Sequence, residues 1–311
     1  MSLLGSLLIS VAGLTLLTLA ADRLVVSASR LSLAWGLSPI LVGAVVVGLG
    51  TSLPEFLTSA LAALRPGGIE LALGNVIGSN IANLALVLGT GSIVSRVAGL
   101  RPIVRREGMA MLAATLLLAW LAWDGTLGRS EGIILVVGML IAVRLLVRWA
   151  GETPETSDPE TTDTPGSSRR EILVALGALA VTLAGARLFV EGAVEIAGAL
   201  GVSDAVIGLT LVAVGTSLPE LATTVAAARR GSNELLFGNV LGSNLFNALG
   251  VAGLAALIGP GSIGTQMSGP IVAMLVVTTV TGIFVVTADE MKRWEGGLLV
   301  ASYPALLILG I

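Results

Sequence analysis

The chain is written twice. Residues 36–65, GLSPILVGAVVVGLGTSLPEFLTSALAALR, return as residues 201–230, GVSDAVIGLTLVAVGTSLPELATTVAAARR, at a constant offset of 165. A second block, GNVIGSNIANLALVLG over 74–89, recurs as GNVLGSNLFNALGVAG over 238–253 at an offset of 164, so one deletion separates the blocks. A fainter echo pairs Arg23, in DRLVVS, with Arg187, in ARLFVE. Any fold for this chain must therefore seat two similar halves.

The solvent of that fold follows from composition. Hydrophobic residues make up 55% of the 311 and charged ones 12%, with a mean hydropathy of +0.97, a balance outside that of soluble domains. A membrane-spanning helix needs ~20 mostly apolar residues. Such stretches lie near 2–29, 38–64, 71–95, 107–123, 130–149, 171–198, 205–228, 235–258, 268–288 and 294–311. They are too long and continuous for outer-membrane barrel strands. The expected fold is an all-α integral membrane protein of ten transmembrane helices, five in each repeat. The first stretch lacks a basic residue ahead of its apolar core and is expected to be a retained helix, not a cleaved leader.

Three segments result: a first repeat over 1–150, a linker over 151–170 and a second repeat over 171–311. The linker, GETPETSDPETTDTPGSSRR, is acidic and rich in Pro, Ser and Thr, as solvated segments are. Taking the loops alternately, one side collects Arg30, Arg96, Arg101, Arg105, Arg106, Arg144, Arg148, Arg169, Arg170, Arg229, Arg230, Lys292 and Arg293, and the other only Arg65 and Arg129. The basic side is expected to be cytoplasmic, with the linker there and both termini outside an inner membrane. An odd number of spans per repeat then inverts one copy relative to the other, the architecture of secondary transporters with a central site.

Ionisable groups within a span are costly and mark function. Glu55 and Glu220 lie mid-span in the identical hexapeptide GTSLPE. Pro54 and Pro219 cannot donate to the carbonyls of Gly50 and Gly215, which frees those oxygens and kinks each helix. Thr51 and Ser52 share a helical face with Glu55, and Thr216 and Ser217 share one with Glu220. Ser79 with Asn83 and Ser243 with Asn247 are spaced i, i+4 and are expected at the same polar centre. Asn75, Asn80, Asn239 and Asn244 fit that centre and interhelical hydrogen bonding equally well. Without Cys or His, the available ligands are hard oxygens, suited to alkali and alkaline-earth cations.

GTSLPE followed by GNxxGSN in each half resembles the α-repeats of the cation/calcium antiporter superfamily, and most of all its prokaryotic sodium/calcium exchangers. The resemblance covers all ten spans. It implies a calcium site built by Glu55 and Glu220 with the carbonyls of Thr51 and Thr216. It also implies sodium sites completed by Ser52, Ser79, Ser217 and Ser243 with the carbonyls of Gly48 and Ala213, and Asn83 and Asn247 flanking the middle. Some prokaryotic relatives carry Asp where this chain has Asn247, so two carboxylates remain here. The implied activity is exchange of three Na⁺ for one Ca²⁺. Two ionised glutamates balance Ca²⁺ to zero and leave +1 with three Na⁺, so such exchange is electrogenic. Proton/calcium exchange through the same glutamates is the alternative, separated by a sodium requirement. A channel is the rival from another class, excluded by saturable counterflow. An enzyme lacks a nucleophile and base pair. No cofactor and no nucleic acid are expected; the partners are Ca²⁺, Na⁺ or H⁺ and the lipid bilayer, with a monomer sufficing.

Overall fold

The computed structural model describes residues 2–98, 104–150, 168–203, 207, 211, 213–288 and 290–309. Of the expectations above, linker residues 151–167, Arg101, residues 205, 206, 208–210 and 212 of the seventh span and residues 310–311 of the tenth lie outside them. Helices dominate. They are α1 (Leu3–Trp35), α2 (Pro39–Thr51), α3 (Leu53–Ala63), α4 (Ile69–Val94), α5 (Met109–Ala122), α6 (Arg129–Ala150) and α7 (Ser168–Ala199). After these come the short α8 (Ala213–Thr216), then α9 (Leu218–Arg229), α10 (Asn233–Ile258), α11 (Ser268–Ala288) and α12 (Arg293–Leu309). Among the described residues six helices are long and apolar enough to cross a membrane, or seven if α2 and α3, bent by 48° at their junction, form one span.

The helix ends follow local chemistry. Ser2 Oγ accepts from the Gly5 N–H at 3.2 Å to start α1, and Gly36, at φ 60°, ends it in the left-handed region that only glycine occupies cheaply. Gly201, its repeat counterpart, stands at φ 80° after α7. Ser38 accepts from the Leu41 N–H at 3.4 Å with Pro39 in the first turn, the residue order that opens α2.

Burial separates a centre from a periphery. The most apolar stretches of α4 and α10 are each 72% buried, against 28% for α1 and α7. The outer faces of α1 and α7 expose Leu4, Leu8, Leu173 and Leu176, as lipid-facing surfaces do. Their shared face carries glycines instead. A Cβ at Gly13 would sit 2.4 Å from Phe189 N, and one at Gly185 2.5 Å from Leu17 N, so the two backbones touch. Trp120, Trp123 and Trp294 are exposed near helix ends, where amphipathic rings anchor at an interface.

Two small antiparallel ladders join the connecting loops. Strands β1 (Val97–Ala98) and β4 (Glu290–Met291) pair Val97 with Met291, and β2 (Thr126–Leu127) and β3 (Gly261–Ser262) pair Thr126 with Ser262. A shift of 164 residues takes β1 onto β3 and β2 onto β4, so each ladder maps onto the other. In both, one strand comes from the first half of the chain and its partner from the second.

Ion pairs also cross the halves. Arg30 Nη1 lies 3.3 Å from Glu171 Oε1, tying the end of α1 to the start of α7. Arg230 meets Asp22 through two parallel bonds, Nε to Oδ1 at 2.8 Å and Nη2 to Oδ2 at 2.7 Å. Its two side chains are 38% and 48% exposed, so solvent screens the pair. Asp22→Asn is expected to lower stability by no more than about 1 kcal/mol. Thermal unfolding in detergent checks this, and a loss several times larger would place the pair among buried ones.

Candidate functional site

The two halves meet where each helix breaks. Ser52, at φ −81° and ψ 7°, separates α2 from α3, and Ser217, at φ −88° and ψ 5°, separates α8 from α9. Both serines adopt the bridge conformation that interrupts a helix. In each case proline occupies the first turn of the new helix, where its missing N–H costs nothing, and the glutamate follows directly. Glu55 and Glu220 are each 1% exposed.

The carboxylates are incompletely satisfied by protein. Ser52 Oγ donates to Glu220 Oε1 at 3.0 Å, a hydrogen bond from one half to the other. Oε2 of Glu220 and Oε2 of Glu55 are buried with no hydrogen-bond partner among the described residues, as are Ser217 Oγ, Asn83 Oδ1 and both amide atoms of Asn247. Ser10 Oγ, Ser27 Oγ, Asn80 Oδ1, Glu171 Oε2 and Thr281 Oγ1 share that condition elsewhere in the bundle, but a half-satisfied carboxylate is the costliest of these, so the two glutamates need a reason. A cation binds to oxygen lone pairs left free in this way. Among the described residues no three His, Cys, Asp or Glu side chains come together.

The surrounding residues divide into those with local partners and those without. Thr51, expected to turn its hydroxyl toward the centre, has that hydroxyl beside the Glu220 carboxylate and 3.5 Å from Asn239 Oδ1, and within reach of Val47 O at 3.1 Å and Gly48 O at 3.3 Å in its own helix. Such back-bonding is the ordinary habit of Thr in a helix. Its carbonyl, the atom the resemblance assigned, lies at the break. Ser243 Oγ donates to the Gly48 carbonyl at 3.1 Å, which brings those two expected residues together across the halves. A Cβ at Gly48 would sit 2.8 Å from Asn239 O, so no side chain fits between this carbonyl and α10. Ser79 is 5% exposed on α4, and Thr216 is half-buried at the end of α8. Ala213 opens α8.

Asn83 and Asn247 lie in π-helical turns, Asn83–Leu88 and Phe246–Val251. Such turns carry one extra residue, are rare, and are frequent at functional sites. Asn83 Nδ2 donates to Asn244 Oδ1 at 3.2 Å, and Asn80 Nδ2 to the Asn244 carbonyl at 3.4 Å. Asn80 and Asn244 thus join α4 to α10 as helix-bridging groups. Glu70, in the first turn of α4, accepts a hydrogen bond from the exposed Gln266. Sequence reasoning passed over Asp22 and left Asn75 and Asn239 undecided. The structure sets both asparagines against the backbone of the glutamates themselves, and their recurrence in GNVIGSN and GNVLGSN was the available signal.

A membrane-embedded helical bundle with a carboxylate-centred polar core is the frame of an ion-handling membrane protein. Residues 5–148 and 171–311 match the family model described as sodium/calcium exchanger protein. The chain is 38% identical to the putative antiporter CaxA of Alkalimonas amylolytica, over 83% of this chain and 82% of that one. It is 31% identical to the sodium/calcium exchanger MaX1 of Methanosarcina acetivorans, over 97% of both. A solved structure of the sodium-calcium exchanger NCX_Mj, soaked with Na⁺ and Sr²⁺, superposes with a TM-score of 0.84 at 31% identity, over 97% of each chain. The chain belongs to the sodium/calcium exchanger family. That is a family of membrane exchangers, not enzymes.

Proposed function

We propose that this chain exchanges Na⁺ for Ca²⁺ across a membrane by alternating access, presenting one cation centre to either side in turn. The observation that carries the reading is the pair of buried glutamates, each directly after a duplicated proline break and each with a carboxylate oxygen lacking a partner among the described residues. Calcium would be held by Glu55 and Glu220 with the carbonyls of Thr51 and Thr216. Four carboxylate oxygens, two carbonyls and a water meet its preference for six to eight flexible oxygens at about 2.3–2.6 Å. Sodium would use Ser52, Ser79, Ser217 and Ser243 with the carbonyls of Gly48 and Ala213, and Asn83 and Asn247 would flank the middle. Two carboxylates cancel one Ca²⁺ and leave +1 with three Na⁺, so a three-for-one exchange carries charge.

The proposed scaffold is ten spans arranged as inverted repeats over 1–150 and 171–311. The exchange of the two loop ladders under a single 164-residue shift supports it, because the strands pair across the halves and follow helices of opposite expected direction. The basic side, including Arg230 and the 151–170 linker, would face the cytoplasm, with the termini outside.

Radioactive calcium uptake into proteoliposomes tests the coupling. Vesicles loaded with Na⁺ are expected to take up calcium, and an inside-positive potential is expected to speed Na⁺ exit and calcium entry. Vesicles with only a pH gradient are expected to take up none. Uptake driven by pH alone would assign the same glutamates to proton/calcium exchange, and potential-independent uptake would refute the three-for-one ratio.

A further inference from the structure

Two asparagines outside the proposed ligand set hold the two glutamates in one way. Asn75 Nδ2 donates to the carbonyl oxygen of Glu55 at 3.1 Å and to Ser59 Oγ at 2.9 Å. Ser59 Oγ itself donates to the Ala72 carbonyl at 3.3 Å, closing a link between α3 and α4. A shift of 164 residues takes Asn75 to Asn239. Its Nδ2 lies 3.3 Å from the carbonyl oxygen of Glu220, 3.1 Å from Thr223 Oγ1 and 3.0 Å from Thr224 Oγ1. Thr224 is the repeat counterpart of Ser59. Both amides therefore reach from the neighbouring helix to the same two groups, the glutamate's own carbonyl and a hydroxyl one turn on.

The position of these contacts is informative. Each proline lacks the N–H that would bond back across the break immediately before the glutamate, and the chain has already departed from helical geometry at Ser52 and Ser217. The glutamate backbone is thus the first turn of a helix that is loosely joined to what precedes it. A carbonyl oxygen has two lone pairs, so the amide adds to the helical bond without displacing it. Asn239 also accepts from Thr51 Oγ1 at 3.5 Å, so it touches the break of the other half as well.

We infer that Asn75 and Asn239 are positioning residues: by fixing the height and rotation of the Glu55 and Glu220 backbones, they set calcium affinity without touching the ion. This rests on the reading of those glutamates as cation ligands. Asn239, 2% exposed and with more partners, has the larger effect; Asn75 is half-buried.

The experiment is calcium-dependent uptake by the full chain in Na⁺-loaded proteoliposomes, with each asparagine replaced by Ala and, separately, by Leu, which preserves volume while removing the donors. The expected result is a rise in the calcium KM of about three- to tenfold in both replacements, larger at Asn239, with the maximal rate within about threefold of wild type. An unchanged KM with Leu and a raised one with Ala would assign the asparagines to packing and overturn the inference. So would a fall in maximal rate at constant KM. Should a replacement at asparagine fail to fold, Ser59→Ala and Thr224→Ala each remove one acceptor, and a raised KM is expected from both; wild-type KM in both refutes the inference. Glu55→Gln and Glu220→Gln run alongside. If they lose uptake while the asparagine variants keep wild-type KM, the positioning role fails alone; if they transport normally, the ligand reading fails and the inference with it.

Discussion

Glu220→Gln is expected to reduce sodium-driven calcium uptake at least about 100-fold, and Glu55→Gln to do the same. Gln has the shape of Glu and keeps one oxygen for Ser52 Oγ, which donates to Glu220 Oε1 at 3.0 Å, so packing around the centre is preserved. The charge is what changes. One carboxylate cannot neutralise Ca²⁺ in a site shielded from water, and breaking a buried charge pair costs about 3–5 kcal/mol, of which each 1.4 kcal/mol is tenfold in affinity. Unfolding temperature serves as the control and should stay at or above that of wild type, because a buried carboxylate has been removed. Uptake within about threefold of wild type in either variant would refute a two-carboxylate centre.

Gly238→Leu is expected to destabilise the protein by about 3 kcal/mol or to prevent folding altogether. Gly238 lies on α10 where it crosses α2, and a Cβ there would be 2.3 Å from Ile40 O and 3.0 Å from Ala44 N. Four residues on, a Cβ at Gly242 would meet Ala44 Cα at 2.4 Å, and on the facing helix one at Gly43 would meet Leu235 O at 2.7 Å. These are contacts to backbone, which cannot swing aside as a side chain does. Without a hydrophobic drive between helices in lipid, such close approach supplies the packing that joins them. Gly177→Leu is the matched control, since no described residue lies within 4 Å of a Cβ at that position. Thermal unfolding in detergent compares the two. Equal midpoints would mean that the α2 and α10 crossing does not hold the bundle together.

The parts of the fold and centre legible in the sequence were those repeated in it. GTSLPE announced the breaks, and the structure places Ser52 and Ser217 at nearly the same backbone angles. Helix α1, expected over 2–29, runs on to Trp35, because the polar Arg30 and Ser32 that ended the apolar count are held by Glu171 and by the Leu37 carbonyl. The ladders were not legible. Two-residue strands are too short to carry alternation, and nothing local marks Val97 as the partner of Met291. The Asp22 and Arg230 pair was equally hidden, since its partners are brought together only by the packing of α1 on α9. Thr51 shows a different limit: helical spacing gave its face but not its partners, Val47 O in its own preceding turn and Asn239 Oδ1 in the other half.

The crossing of the ladders bears on how the protein is made. Strand β1 finds its partner in β4 and β2 in β3, α1 packs on α7, and α2 receives its notch-filling neighbour from α10. When the ribosome has finished the first half, that half holds unpaired strand edges, bare glycine grooves and a buried-type carboxylate with no counterpart. At about 5–20 residues per second, the second half arrives roughly 10–30 s later. For that interval the first half is exposed to insertion factors and proteases, and is not yet a domain.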